Sequence, residues 1–160
     1  MRLQLTKRSE YAIRASVLLA AAESCPVSSR RIAERMGVPA TFLPQVLSDL
    51  QRAGFVESTS GKAGGYCLRA DPERVSLLEL IEAIEGPTRG ERCALDNRVC
   101  SDGEACALHE TWAAAQSAFI QVLAGTSLLD VTRRWLAQAD DTDGLVSPLP
   151  GLFSPERIPA

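Results

Sequence analysis

The chain predicts a mainly α fold with one small β-hairpin, a winged helix-turn-helix domain followed by a long dimerisation helix. Three observations carry this. Two short amphipathic segments are joined by Gly37-Val38-Pro39. A glycine-rich turn, Gly61-Lys62-Ala63-Gly64-Gly65, divides two strand-like runs. Beyond them, apolar residues recur at heptad-like spacing.

Thr6 caps a first helix reaching about Ala22, apolar on most sides through Ala12, Ile13, Ala15, Val17, Leu18 and Leu19. Such a helix calls for burial between other elements. Ser28 or Ser29 caps a second helix with Ile32, Ala33 and Met36 on one face, and Gly37 ends it in a left-handed conformation. The third helix runs from about Ala40 to Ala53, with Leu43, Val46, Leu47 and Leu50 at i, i+3, i+4 and i+7. Pro44 fits if Ala40 or Thr41 is the cap, because first-turn amides have no intrahelical partner. Residues 55–59 and 66–69 flank the glycine-rich turn as strands of a wing. That turn lacks the Lys-Ser/Thr ending of a phosphate-binding loop, and no helix follows it at once.

Ser76 and Glu79 form a capping box opening a helix with Leu77, Leu80, Ile81 and Ile84, closed by Gly86-Pro87. Ser101 and Glu104 offer a second box before a long helix. Its stripe is Leu108, Trp112, Ala115, Phe119 and Val122, a seam expected to pair with another subunit rather than pack on its own domain. Ser127 caps a last short helix to about Ala137. From Asp140 the composition turns acidic and then proline-rich, which predicts a disordered tail. The expected organisation is 1–86 winged helix-turn-helix, 87–103 cysteine loop, 104–139 dimerisation helix and short C-terminal helix, and 140–160 tail.

The 160 residues suffice for one sizeable core, and the net charge of −3 hides an asymmetry. Residues 1–74 carry eleven Lys/Arg against seven Asp/Glu, whereas 75–160 carry six against thirteen. The basic half suits a DNA contact. No apolar run reaches membrane length and no signal-peptide h-region opens the chain, so a cytoplasmic location without membrane contact is expected.

Three of the five cysteines and the only histidine form Cys93-x(6)-Cys100-x(5)-Cys106-x(2)-His109. An odd, clustered set argues against a secreted disulfide framework. Thiolates are soft ligands for zinc and for iron–sulfur clusters alike. Zinc favours closely paired cysteine knuckles, which are absent; widely spaced thiolates in one loop suit a larger cluster. His109, one helical turn past Cys106, shares its face. Cys25 and Cys67 read as small hydrophobes.

On the third helix, Thr41, Gln45, Ser48 and Arg52 face away from the apolar side. Thr41 and Gln45, nearest the helix start, are the expected base readers, with thymine methyl and adenine as their partners. Ser28, Ser29, Arg30 and Arg31 are expected phosphate contacts, because the free amides of a helix start attract anions. Lys62 at the wing tip is placed to enter a minor groove.

Met1-Arg2-Leu3, Tyr11-Ala12-Ile13, Gly61-Lys62-Ala63-Gly64-Gly65-Tyr66 and the three-cysteine loop occur in an order that resembles the IscR/NsrR-type family of winged helix-turn-helix iron–sulfur transcription regulators, over roughly residues 1–139. The resemblance implies a homodimer on a palindromic operator in double-stranded DNA. It also implies an iron–sulfur cluster (2Fe–2S or 4Fe–4S) held by Cys93, Cys100 and Cys106, whose state sets DNA affinity. For the fourth ligand it offers two candidates. His109 matches the histidine after the third cysteine of IscR-like members. Glu10 matches the acidic ligand that NsrR-like members donate from the other subunit. Two departures stand out: six residues between Cys93 and Cys100, where close relatives often have five, and Pro44 at a recognition-helix position where the best-known IscR-type member has Glu.

The expected function is a repressor-like regulator sensing redox state, nitric oxide or iron–sulfur status, and not an enzyme. There is no nucleotide-binding fingerprint and no nucleophile–base constellation. The alternatives are a winged-helix DNA-binding protein with structural zinc and no sensing, and an iron–sulfur electron carrier with little use for a recognition helix. Glu10 is otherwise a solvated helix-1 carboxylate, and His109 a half-buried histidine beside Leu108 and Trp112.

Overall fold

Thr6 accepts a hydrogen bond from the Ser9 amide and starts α1 (Lys7–Ala20). The computed structural model describes residues 5–88 and 106–140. Among these, α1 is the central element, packing against α2 (Ser29–Met36), α3 (Leu43–Arg52), α4 (Leu77–Glu85) and α6 (Leu128–Asp140). Its six predicted apolar residues are all buried, and so are Ser9, Arg14 and Ser16. Strands β1 (Val56–Thr59) and β2 (Gly65–Leu68) pair antiparallel, Val56 opposite Leu68 and Thr59 opposite Gly65. The architecture is mainly α with one small hairpin.

Local chemistry sets the helix ends. Ser28 caps α2, and Gly37 closes it at φ 60°. At Ser76 and Glu79 both halves of the capping box form. Ser127 accepts from the Asp130 amide while its own amide and hydroxyl donate to the Asp130 carboxylate. Those bonds hold the Asp130 pKa below the ordinary carboxylate value, the Ser127 hydroxyl contributing most.

Several boundaries differ from the sequence expectation. α1 stops at Ala20, two residues early. α3 begins at Leu43 rather than near Ala40: the Pro39 carbonyl accepts from both Phe42 and Leu43, closing a tight turn, and Phe42 becomes the cap. Thr41 therefore sits in the turn. Pro44 occupies the first helical turn, where its missing amide costs nothing. α5 (His109–Ala124) starts after a turn in which the His109 amide donates to the Cys106 carbonyl at 2.9 Å. The box expected at Ser101 and Glu104 lies outside the described residues, as does the tail beyond 140.

The core runs from α1 through Ile32, Leu43, Leu47 and Leu50 to Leu80 on α4 and Leu128 and Trp135 on α6. Main-chain bonds Leu77 to Thr126 (2.9 Å) and Leu128 to Val75 (2.8 Å) fasten the start of α6 beside that of α4. By contrast, α5 packs on α4 and buries no residue fully. Leu108, Phe119 and Val122 of the predicted seam are exposed, Val122 at 67 %.

Candidate nucleic-acid interface and ligand site

The helix-turn-helix comprises α2, the 37–42 turn and α3. At the start of α2, the Ser28 hydroxyl accepts from the Arg31 amide at 3.3 Å, and Ser29, Arg30 and Arg31 are all exposed. The Arg30 guanidinium bonds Glu34 at 2.7 Å, which raises its already high pKa. Arg31 carries its charge on the same exposed helix start, so the phosphate contacts expected from sequence lie together.

On α3, Gln45, Ser48 and Arg52 form one exposed face, with Thr41 in the preceding turn. Asp49 organises this face, and the sequence reading missed it. It is 3 % exposed. Its carboxylate accepts from Gln45 (3.1 Å), Arg52 (3.2 Å) and, from α1, Arg8 (2.5 Å). The expected base reader Gln45 is thus held by a buried anchor rather than left to rotate freely. Its helical neighbours Gln45 and Arg52, four residues before and three after, and its place beside the apolar stripe were the signals in the sequence; its third partner, Arg8, lies 41 positions away.

Phe42 was missed as well. It is 60 % exposed at the start of α3, its ring 6.2 Å from that of Tyr11. An aromatic edge at the head of a recognition helix offers apolar contact to a thymine methyl. Lys62 is exposed in the β1–β2 turn.

On the ligand side, Cys106 and His109 are both half-buried and joined by the turn at the foot of α5. A soft thiolate beside an imidazole is a donor pair that fits an iron–sulfur cluster or zinc. Cys93 and Cys100 lie outside the described residues. Among the described residues no three His, Cys, Asp or Glu side chains converge on a metal-sized site, so Glu10 does not meet Cys106 and His109 within the chain.

Glu10 is not a freely solvated carboxylate. Lys7 bonds one of its oxygens at 2.9 Å and Arg14 the other. Arg14 is 7 % exposed, and its second amino group donates to the Met36 carbonyl at 2.9 Å, the last residue of α2. One buried guanidinium therefore joins Glu10 to the end of the first helix of the helix-turn-helix. Nearby, Thr6 and Ser9 donate to Glu85 at the end of α4, fixing the head of α1 beside the point where the chain leaves for the cysteine loop.

Residues 5–134 match the sequence profile of the Rrf2 family, described as an iron-dependent transcriptional regulator. The regulator IscR of Xenorhabdus nematophila is 30% identical over 132 residues, 82% of this chain and 80% of that protein. IscR of Aliivibrio salmonicida is 32% identical over 127 residues, covering 79% and 75%. Among solved structures, CymR, the global cysteine regulator of B. subtilis, superposes with a TM-score of 0.70 at 28% identity, covering 83% of this chain and 98% of that one. T. potens IscR gives 0.64 at 26% identity, covering 82% and 88%. These relatives are DNA-binding regulators and not enzymes. A helix-turn-helix with a hairpin wing, a long helix bearing exposed apolar residues and a profile match across most of its length together place the chain in the Rrf2 family of transcriptional regulators.

Proposed function

We propose that the protein is a homodimer that binds a palindromic operator and tunes its affinity through an iron–sulfur cluster held by Cys93, Cys100, Cys106 and a fourth ligand, His109 or the partner-donated carboxylate of Glu10. Residues 1–86 serve as the DNA-binding unit, 87–103 as the ligand loop and 104–139 as the pairing element. Working on an operator places it in the cytoplasm. The observation that carries this reading is the half-buried Cys106–His109 pair at the foot of a helix whose seam residues Leu108, Phe119 and Val122 are exposed.

When bound, the cluster supplies a group whose charge and ligand demand change with redox state or nitric oxide. The chain's residues would carry that change to DNA. If Glu10 is the fourth ligand, it is drawn toward a partner's ligand loop and gives up its bond to Arg14. Arg14 then holds the Met36 carbonyl from a different position, and Arg8 on the same helix shifts the Asp49 anchor of Gln45. Two arrangements of the recognition helices follow, with different operator affinity. On the DNA side, Ser28, Ser29, Arg30 and Arg31 hold phosphates, Thr41, Gln45, Ser48 and Arg52 face the major groove, and Lys62 reaches the adjacent minor groove.

The test is the absorption spectrum, iron and sulfide content of anaerobically purified protein. Binding to a duplex enriched by in vitro selection is then compared for loaded and stripped protein at one salt concentration. Matching iron and sulfide with unequal affinities are expected. Colourless, zinc-containing protein would replace the sensing reading with a structural metal, and equal affinities would remove the switch.

A further inference from the structure

Cys25 and Cys67 stand 42 positions apart in sequence, outside the ligand loop, and the fold brings them together. Cys25 lies in the α1–α2 connection, two residues before Val27; Cys67 directly follows Tyr66 on the wing. Val27 and Tyr66 form an isolated antiparallel bridge, exchanging main-chain hydrogen bonds of 2.9 and 2.8 Å. Gly65 permits that approach, since a Cβ there would meet the Val27 oxygen at 2.4 Å. The cysteine Cα atoms are 5.5 Å apart, within the span a disulfide occupies, and their sulfurs are bonded. The sequence reads both as separate small hydrophobes; the fold instead pairs them, Cys25 exposed and Cys67 half-buried.

We propose that Cys25 and Cys67 are a reversible thiol–disulfide site, oxidised by hydroperoxides, that latches the wing to the entrance of the helix-turn-helix and tightens operator binding. The exposed Cys25 thiolate attacks the peroxide oxygen, breaking the O–O bond, and becomes a sulfenic acid as the alcohol or water departs. The Cys67 thiol then attacks the Cys25 sulfur, the S–S bond forms and water leaves. Two electrons pass from the two thiols to one hydroperoxide, and a dithiol reductant reverses the step.

The physical effect follows from where the wing is held. A two-stranded hairpin is marginal alone; Val56 roots this one in the core, with Tyr66 and Leu68 packed against it. The Val27–Tyr66 bridge joins it to the helix-turn-helix entrance, while Lys62 stands exposed in the turn beyond. A covalent tie removes freedom that binding would otherwise have to remove from Lys62 and its turn. A regulator works in the compartment that holds its DNA, where disulfides are mostly transient and redox-sensing. None of the proposed cluster ligands takes part, so this site stands or falls separately from the cluster.

The test uses the full-length protein, with hydrogen peroxide, alkylation of remaining thiols, and tryptic mapping without reductant. Tryptic peptides 15–30 and 63–69 each contain one of these two cysteines and no other. Expected is a linked 15–30/63–69 pair that peroxide creates and dithiothreitol removes, with Cys106 alkylated as before. Oxidised protein should bind a selected duplex at least about threefold tighter than reduced protein. C25S and C67S should each lose that response while keeping the affinity of the reduced form. Separate alkylation of both peptides after peroxide, or a linked pair with unchanged duplex affinity, would overturn the proposal.

Discussion

Arg8 on α1 and Asp49 on α3 form an ion pair of 2.5 Å that ties the central helix to the recognition helix. The pair is lopsided: the Arg8 side chain is 49% exposed, whereas the Asp49 carboxylate is buried. Exposed guanidinia contribute little to stability, but a buried carboxylate serving three donors contributes through all of them. Asp49→Ala is therefore expected to lower unfolding free energy by ~1–3 kcal/mol, against under ~1 kcal/mol for Arg8→Ala. Urea titrations of both variants check this. Asp49→Ala should also weaken duplex binding, because Gln45 loses its anchor; equal stability loss in the two variants would contradict the asymmetry.

Arg14 bridges Glu10 and the Met36 carbonyl from a buried position. Arg14→Ala leaves that carbonyl without this donor, and a loss of roughly 2–3 kcal/mol is expected in metal-free protein. Lys at this site keeps the charge but has no planar fork to span both partners, so its melting temperature should fall between those of the wild type and the alanine variant. Glu10→Ala should shift the visible spectrum of the loaded protein if its carboxylate is the fourth ligand. An unchanged spectrum leaves that place to His109.

Base contacts and phosphate contacts separate by salt. Gln45→Ala is expected to lower affinity by ~1–3 kcal/mol for the selected sequence and relax preference at one base pair. Arg31→Ala should weaken binding to all sequences alike and reduce the slope of log affinity against log salt by about one. Fluorescence anisotropy across a salt series distinguishes the two, and an unchanged slope would remove Arg31 from the phosphate contacts.

Phe119 and Val122 lie exposed on α5. Replacing both with Asp places charge in the proposed seam, and sedimentation should change from dimer to monomer while the α1–α4 core stays folded. A double variant that still sediments as a dimer would move the interface elsewhere.

Local chemistry was the readable part of the sequence. Ser28, Gly37 and the Ser76–Glu79 box set helix ends within a few residues of themselves, and the α1 apolar residues follow from composition alone. The α3 start was misplaced because the bonds from Phe42 and Leu43 to the Pro39 carbonyl compete with continued helix, and no periodicity encodes that competition. The Arg8–Asp49 and Cys25–Cys67 pairs were invisible for another reason. Each joins residues about forty positions apart, and chain proximity exists only after α1 has packed. Of the expected metal ligands, Cys106, His109 and Glu10 have defined surroundings, while Cys93 and Cys100 lie outside the described residues.

The 16 residues of α5 include none that its own fold fully buries. On the homodimer reading, much of what keeps that helix formed belongs to a second molecule, so mass action enters the folding equilibrium itself. Thermal stability should rise with protein concentration, and a cell that makes few copies would hold a less robust regulator as well as a scarcer one. Supply of the protein then acts twice on its operator: once through occupancy, and once through the share of chains that are folded well enough to bind.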